Sequence, residues 1–268
     1  MSALRVLVIG IAGRMGQALV RVAGERSDLA ISAGLARAGS PYVGVDAGTI
    51  AGVGPLGLIV REDLTNALAE CDAVLDFSEP TATAANLAAC CAAGKPLLIG
   101  TSGLTADVRH ELERVARHIP LLIAPNTSLA VTLLLELARE AARVLPLAFD
   151  AEIIESHHRG KKDAPSGTAL ALGQAIAEGR GLELEQVGVR GRAGSGPRRE
   201  GEIGFAALRG GDVVGEHSVV FAGIGEQLIL AHRATDRAIF ARGALDAIVW
   251  LARQPPGRYA MRDLLLKQ

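Results

Sequence analysis

The sequence predicts an α/β fold: a parallel sheet with helices on both faces, into which a mixed α+β domain is inserted late in the chain. Three observations predict it. Short apolar runs alternate with helical patterns through the first half, and a glycine-rich turn joins the first run to the first helix. After about residue 127 the pattern changes to closely spaced strands. At 268 residues the chain can hold one large domain or two unequal ones.

The elements follow in order. "LRVLVIG" (4–10) is apolar throughout, as a strand buried on both faces should be, and "RMGQALVRVAGE" (14–25) carries helical spacing. "LAISAGLA" (29–36) is a second strand. "SPYVGVDAGTIAGVG" (40–54) is too rich in Gly for a regular element and reads as a loop. Strands recur at "AVLDFS" (73–78), "PLLIG" (96–100) and "PLLIA" (120–124), each preceded by a helical stretch. Strand and helix in alternation imply a parallel sheet. Next comes a helix at 128–145, then "FDAEIIESHH", a strand ending in two histidines, and a helix at 166–179. Strands at 202–208, 213–221 and 226–234 are separated by links short enough for antiparallel hairpins. The apolar helix at 237–253 suits the first domain better than the small sheet. The expected boundaries are 1–127 plus 237–268 for a discontinuous dinucleotide-binding domain, and 128–236 for the inserted one.

Composition excludes several functions. With 29 acidic against 28 basic residues, nothing pulls the chain toward nucleic acid or an acidic membrane. Aromatics are 3% of residues, too few for a base-stacking platform, and the arginines of "VRGRAGSGPRREGE" (189–202) read as a mobile, solvated loop. Cys71, Cys90 and Cys91 lack CxxC spacing and read as small core residues in a reducing compartment. No apolar run approaches a membrane span, and the start shows no signal-peptide pattern. The expectation is a soluble, cytoplasmic protein with neither nucleic acid nor membrane as a partner.

Two stretches carry chemistry. "VLVIGIAGRMGQAL" places Gly10, Gly13 and Gly16 at the first strand-to-helix turn, where a helix N-terminus offers unpaired N–H groups to a pyrophosphate. The spacing is G-x-x-G-x-x-G rather than G-x-G-x-x-G, with Ala12 at the place of the second glycine. The alternative is a glycine turn that only packs helix on strand; its position after the first strand of an alternating chain favours a nucleotide. The second stretch is "ESHHRGKKDAPSGTALALG" (155–173). Neighbouring side chains on a strand point to opposite faces, so His157 and His158 share a pocket only if the strand ends there. Metal-ligand spacing is missing and no cysteine is near, so no metal site is expected. Ser166, Gly167 and Thr168 place hydroxyls and N–H groups at a helix start, a receptor for a carboxylate.

These motifs, with "GFAALRGGDVVGEHSVVF", resemble the 4-hydroxy-tetrahydrodipicolinate reductase (dihydrodipicolinate reductase) family from Val6 to the "MRDLL" near the C-terminus. The resemblance implies a Rossmann-like parallel-sheet dinucleotide domain and an inserted α+β domain that binds substrate and builds a homotetramer. It implies NAD(P)H-dependent reduction of a cyclic dicarboxylate on the diaminopimelate route to lysine. His157 would be the proton donor and acceptor and Lys161 a second proton donor; His158, Ser166, Gly167 and Thr168 would hold the substrate. The cofactor would touch Gly10, Ile11, Ala12, Gly13, Arg14 and Met15, then Gly100, Thr101 and Ser102, then Ala124, Pro125, Asn126 and Thr127. The family often has an acidic residue where this chain has Ala36, and can have Arg where it has Glu79. Ala36 cannot accept from ribose hydroxyls and Arg37 can pair with a 2′-phosphate, so NADPH is favoured over NADH. Two other readings are another two-domain amino-acid dehydrogenase, of aspartate or homoserine type, and a catalytically silent nucleotide-binding protein.

Overall fold

Six short strands build a parallel sheet and five others a mixed one, in a computed structural model that describes residues 2–265. The first stretch runs β1 (Leu4–Ile9), α1 (Arg14–Ala23), β2 (Leu29–Leu35), α2 (Ala47–Ala51), α3 (Leu64–Ala69), β3 (Ala73–Asp76), α4 (Pro80–Ala92), β4 (Leu97–Ile99), α5 (Ala106–Ala116) and β5 (Pro120–Ile123). The middle runs α6 (Leu129–Val144), β6 (Asp150–His157), α7 (Gly167–Arg180), α8 (Leu184–Val187), β7 (Gly188–Arg190), β8 (Ile203–Arg209), β9 (Gly215–Gly223) and β10 (Glu226–Ala234). The chain closes with α9 (Ala238–Leu251), β11 (Gly257–Tyr259) and α10 (Met261–Leu265). Contacts divide it into two units, Met1–Ser128 with Ala238–Gln268, and Leu129–Arg237.

In the first unit the strand order is β11-β5-β4-β3-β1-β2, parallel throughout. β1 lies between β2 and β3, so the chain reverses its direction of travel there, and a sheet of this kind binds ligands at the carboxyl ends of its strands beside that point. Helices α3, α4 and α5 cover the face carrying Leu7, Ile9, Val74, Leu97 and Leu121. On the other face α9 packs against α1 and strands β3 to β5. Small residues on α9 allow close approach: a Cβ on Gly243 would meet Thr127 O at 1.8 Å. Cys71 and Cys90 are fully buried, and burial raises both thiols, which makes them packing groups rather than nucleophiles.

The sequence reading leaves out five short elements, α2, α8, β7, β11 and α10. The stretch read as a loop at 40–54 holds α2, because Asp46 accepts the Thr49 N–H as its cap and Gly52, at φ 78°, ends it one turn later. β11 extends the sheet beyond β5 with only three residues, too few for periodicity to reveal.

The second unit has the order β10-β9-β6-β8-β7. β9 and β10 form the expected antiparallel hairpin. β8 and β9 do not: β6 lies between them, parallel to β8 and antiparallel to β9. Their short link instead straddles the carboxyl end of β6, where Gly210 N–H donates to His157 O and His158 N–H to Val213 O. Helices α6 and α7 pack on one another and cover the face bearing Ile153, Phe205, Val219 and Phe221. Ile154, Leu208 and Ile229 are exposed, and their cross-strand pairing puts them on the opposite face. The arginines at 192–199 are not simply solvated. Arg192 and Arg198 pair with Glu152, Arg192 and Arg199 with Glu202, and Arg198 donates to Ala151 O, which ties the loop to β6. Among the described residues, no helix is long and apolar enough to cross a membrane.

Candidate active site

The turn after β1 is built on glycine for three separate reasons. Gly10 sits at φ 82°, and a Cβ there would meet Phe77 O at 2.6 Å. Gly13 is the N-cap of α1, and Gly16 lets the helix rest on the turn, since its Cβ would fall 2.3 Å from Ile11 O. No side chain caps α1 and no acidic residue stands in its first turn. The N-terminal N–H groups of this ten-residue helix are thus not taken up by a capping side chain, the arrangement that suits an anion. Ile11 is buried beneath Gly34, so it can offer only backbone. Ala12 uses its carbonyl to accept from Gln17 Nε2, while Arg14 is exposed and Met15 half-buried.

Backbone hydrogen bonds align the neighbouring turns: Phe77 N–H donates to Ile9 O, Gly100 N–H to Asp76 O and Ala124 N–H to Ile99 O. The four strand ends thereby form one ledge. Gly100 is needed because a Cβ would sit 2.0 Å from the Phe77 ring. Asp76, fully buried, accepts from Ser78 N–H and Asn86 Nδ2, which fixes the 77–78 turn. Of the predicted cofactor residues, Thr101 and Thr127 spend their hydroxyls internally, donating to Ser78 O at 3.0 Å and Phe240 O at 2.6 Å. Asn126 Oδ1 accepts from Ser128 N–H. Ser102 and Pro125 are exposed on the ledge. Arg37 is exposed just beyond β2, and its guanidinium has no partner among the described residues.

The titratable cluster lies in the second unit. Alternation along β6 puts Ile153, Glu155 and His157 on the buried face. Glu155 is 1% exposed, yet four donors surround its carboxylate: Arg209 Nη1 at 2.8 Å and Nη2 at 2.7 Å, Ser166 N–H at 3.0 Å and His157 Nδ1 at 2.6 Å. Burial alone would raise its pKa, but Arg209, His157 and the Ser166 N–H outweigh it and hold it below the usual range. It is ionised. For His157 burial dominates and lowers the pKa; Glu155 opposes this, while Lys161 and Arg209 add to it. His217, from β9, packs edge-on against His157 with ring centroids 5.1 Å apart. Lys161 Nζ lies 2.9 Å from Asp163 Oδ1, and Lys161, with a smaller contribution from the Gly167 N–H at the start of α7, holds that carboxylate below the usual range.

The structure therefore brings His157, Lys161 and the α7 N-terminus into one neighbourhood. β6 ends at His157, but the ring packed on it is that of His217, not His158, which is half-buried beside Gly160. Ser166 is placed differently from the sequence reading. Its hydroxyl accepts from Ala169 N–H as the α7 cap and contacts His217 Nε2 at 3.1 Å, and its N–H goes to Glu155. At 2% exposed it braces the site rather than facing a substrate. Gly167, by contrast, is open: a Cβ there would meet nothing within 4 Å. Thr168 follows it, half-buried, on the first turn of α7. Sequence reasoning missed Glu155, Arg209 and His217. The Glu-x-His spacing on a strand was signal enough for the first. Ligand atoms of Glu155, His157 and His217 also lie within 4.8 Å of one another, but both Glu155 oxygens are already engaged by a guanidinium that would repel a cation.

Family models described as dihydrodipicolinate reductase, N-terminus, and dihydrodipicolinate reductase, C-terminus, match residues 4–127 and 130–265. The 4-hydroxy-tetrahydrodipicolinate reductase of Sinorhizobium medicae is 50% identical over 266 residues, spanning 98% of this chain and 97% of its own. That of Alkalilimnicola ehrlichii is 49% identical over 262 residues, spanning 97% and 98%. Among solved structures, dipicolinate-bound dihydrodipicolinate reductase from Paenisporosarcina sp. TG-14 has the same fold, with a TM-score of 0.77 at 24% identity over 96% of this chain and 97% of that one.

Proposed function

This chain belongs to the dihydrodipicolinate reductase family, and we propose that His157 donates the proton of the family's reaction, with Lys161 as a second proton donor. The reaction is the reduction of 4-hydroxy-tetrahydrodipicolinate to tetrahydrodipicolinate by a nicotinamide cofactor, on the diaminopimelate route to lysine. Water leaves the hydroxylated ring, and one hydride and one proton then add across the conjugated bond. When bound, the nicotinamide supplies the hydride. The residues that would hold it are the backbone of Gly10 to Met15 and the turns at Gly100–Ser102 and Ala124–Thr127.

The observation that carries the assignment is the buried Glu155–His157 pair beside Lys161 and the start of α7. With its pKa lowered, His157 is neutral at neutral pH before substrate arrives. A dicarboxylate nearby favours the imidazolium, which then has a proton to give where negative charge develops. Lys161 contributes fixed positive charge to the same anion. One substrate carboxylate takes the place of Asp163 against Lys161 and the Gly167 and Thr168 N–H groups, and His158 flanks it. The dipicolinate of the solved relative is a dicarboxylate of this class. NADPH is the preferred reductant, with the exposed Arg37 guanidinium set to pair with its 2′-phosphate. The exposed apolar sheet face of Ile154, Leu208 and Ile229 supports assembly as a homotetramer, which sedimentation equilibrium checks.

The test of the function is NAD(P)H oxidation on mixing the enzyme with freshly made 4-hydroxy-tetrahydrodipicolinate, compared with aspartate semialdehyde and oxaloacetate. Turnover of either control without turnover of the cyclic substrate would refute it.

A further inference from the structure

We propose that Glu155 is the positioning residue for His157: it holds the Nδ1–H, so that Nε2 is the nitrogen that exchanges the proton. The inference rests on the reading of His157 as proton donor and deepens it. An ionised carboxylate can only accept, so the 2.6 Å contact requires the hydrogen on Nδ1 in the neutral ring. Glu155 does not depend on His157 for its own placement. Arg209 clamps it through both oxygens, the Ser166 N–H adds a third bond, and Arg209 is itself anchored on Leu208 O and Asp163 O at 2.6 Å each.

A second observation concerns the opposite nitrogen. A Cβ on Gly215 would lie 3.0 Å from His157 Nε2, the shortest of its approaches. Glycine there keeps a side chain off Nε2 on the β9 side, where proton transfer needs access. The charged and titratable groups facing the ring are Glu155 on β6, Arg209 on β8, His217 on β9 and Lys161 in the loop after β6. Glu155 is the only negative one among these.

Those signs define the experiment. Glu155→Gln leaves Arg209 and Lys161 facing an imidazole with no negative partner, so the pH at which kcat falls on the alkaline side should move down. Arg209→Gln removes a positive charge and leaves the carboxylate, so the same limb should move up. Loss of packing alone would not move the two variants in opposite directions. Glu155→Gln should also lower kcat at least about 10-fold, the lower end of what losing the partner that fixes a histidine's tautomer costs, with a much smaller effect on substrate KM. Nitrogen-15 NMR of the wild-type enzyme should show His157 as the Nδ1–H tautomer, and Glu155→Gln should mix the two tautomers. An Nε2–H tautomer in the wild type, or pH profiles that move together, would overturn the proposal. So would activity lost to a chelator and restored by zinc, since Glu155 would then be a metal ligand. Wild-type turnover in His157→Ala would instead remove the proton-donor assignment and leave the tautomer result standing, so the two failures are distinguishable.

Discussion

His217→Gln should make the folded enzyme less sensitive to acid. The wild-type ring is 4% exposed, with Nε2 3.1 Å from Ser166 Oγ and its edge toward His157. Burial, with His157 a second cause, pushes its pKa from 6.5 down to about 4. In the unfolded chain the ring titrates at its ordinary value. Above pH 6.5 both states are neutral and the residue adds no pH dependence. As pH falls from 6.5 toward 4, the unfolded state binds a proton that the folded state refuses, and stability is lost; below that both bind it and the loss stops growing. Each pK unit is worth about 1.4 kcal/mol, so the full loss approaches about 3 kcal/mol. Glutamine keeps an amide near Ser166 Oγ and removes the titration. Urea unfolding at about pH 8 and about pH 4 should show the wild type losing about 3 kcal/mol more than the variant over that interval. The His217 ring protons, followed by NMR, should titrate near the acid end of it. Equal losses in the two proteins, or a ring that titrates at its ordinary value, would refute the argument.

The other predictions are shorter. His157→Ala and Lys161→Ala should each lower kcat roughly 10²-fold or more while dinucleotide Kd, read by fluorescence titration, stays within about twofold. Gly10→Ala forces a side chain into a φ of 82° and a 2.6 Å clash with Phe77 O. It should cost at least about 2 kcal/mol in denaturant unfolding and abolish cofactor binding, because the turn beneath the pyrophosphate must shift. Arg37→Ala should raise KM for NADPH about tenfold and leave NADH unchanged, with the difference shrinking at high salt. Equal KM values in the wild type would defeat the cofactor preference.

How much of this the sequence revealed follows from the range of each interaction. Strands β1 to β5 of the parallel sheet were legible because each is a mostly apolar run, the pattern a doubly covered sheet demands of its own residues, whereas β11 is not. The glycine turn was legible for the same reason, since Gly10, Gly13 and Gly16 answer to neighbours close along the chain or in the next turn. The pairing of β8 was not. A short link between two strands suggests a hairpin, and nothing local to "RGGD" says that β6 will pass between them. Arg192 and Arg198 of the 191–201 loop looked solvated because Asp150, Ala151 and Glu152, which hold them, lie on a distant strand. Arg209 and His217 were hidden similarly: each reaches the site only once β8 and β9 flank β6.

The central position of β6 explains why the chemistry sits where it does. A strand with neighbours on both sides presents its buried carboxyl end to β8 and β9 at once, and each supplies one group that β6 lacks. β8 delivers the guanidinium that balances the charge of a nearly inaccessible Glu155; without it that charge is left to His157 Nδ1 and the Ser166 N–H, which still hold the carboxylate. β9 delivers a glycine where a side chain would crowd Nε2 and a neutral histidine that fills the remaining space without adding charge. The two positive charges that face His157 are each paired, Arg209 with Glu155 and Lys161 with Asp163. A dianion is therefore the kind of ligand that changes the balance. On the proposed reading it would weaken the Lys161–Asp163 pair by competing for the ammonium and raise the proton affinity of His157. With His157 as the proton donor, the site would protonate in response to the substrate it is about to reduce.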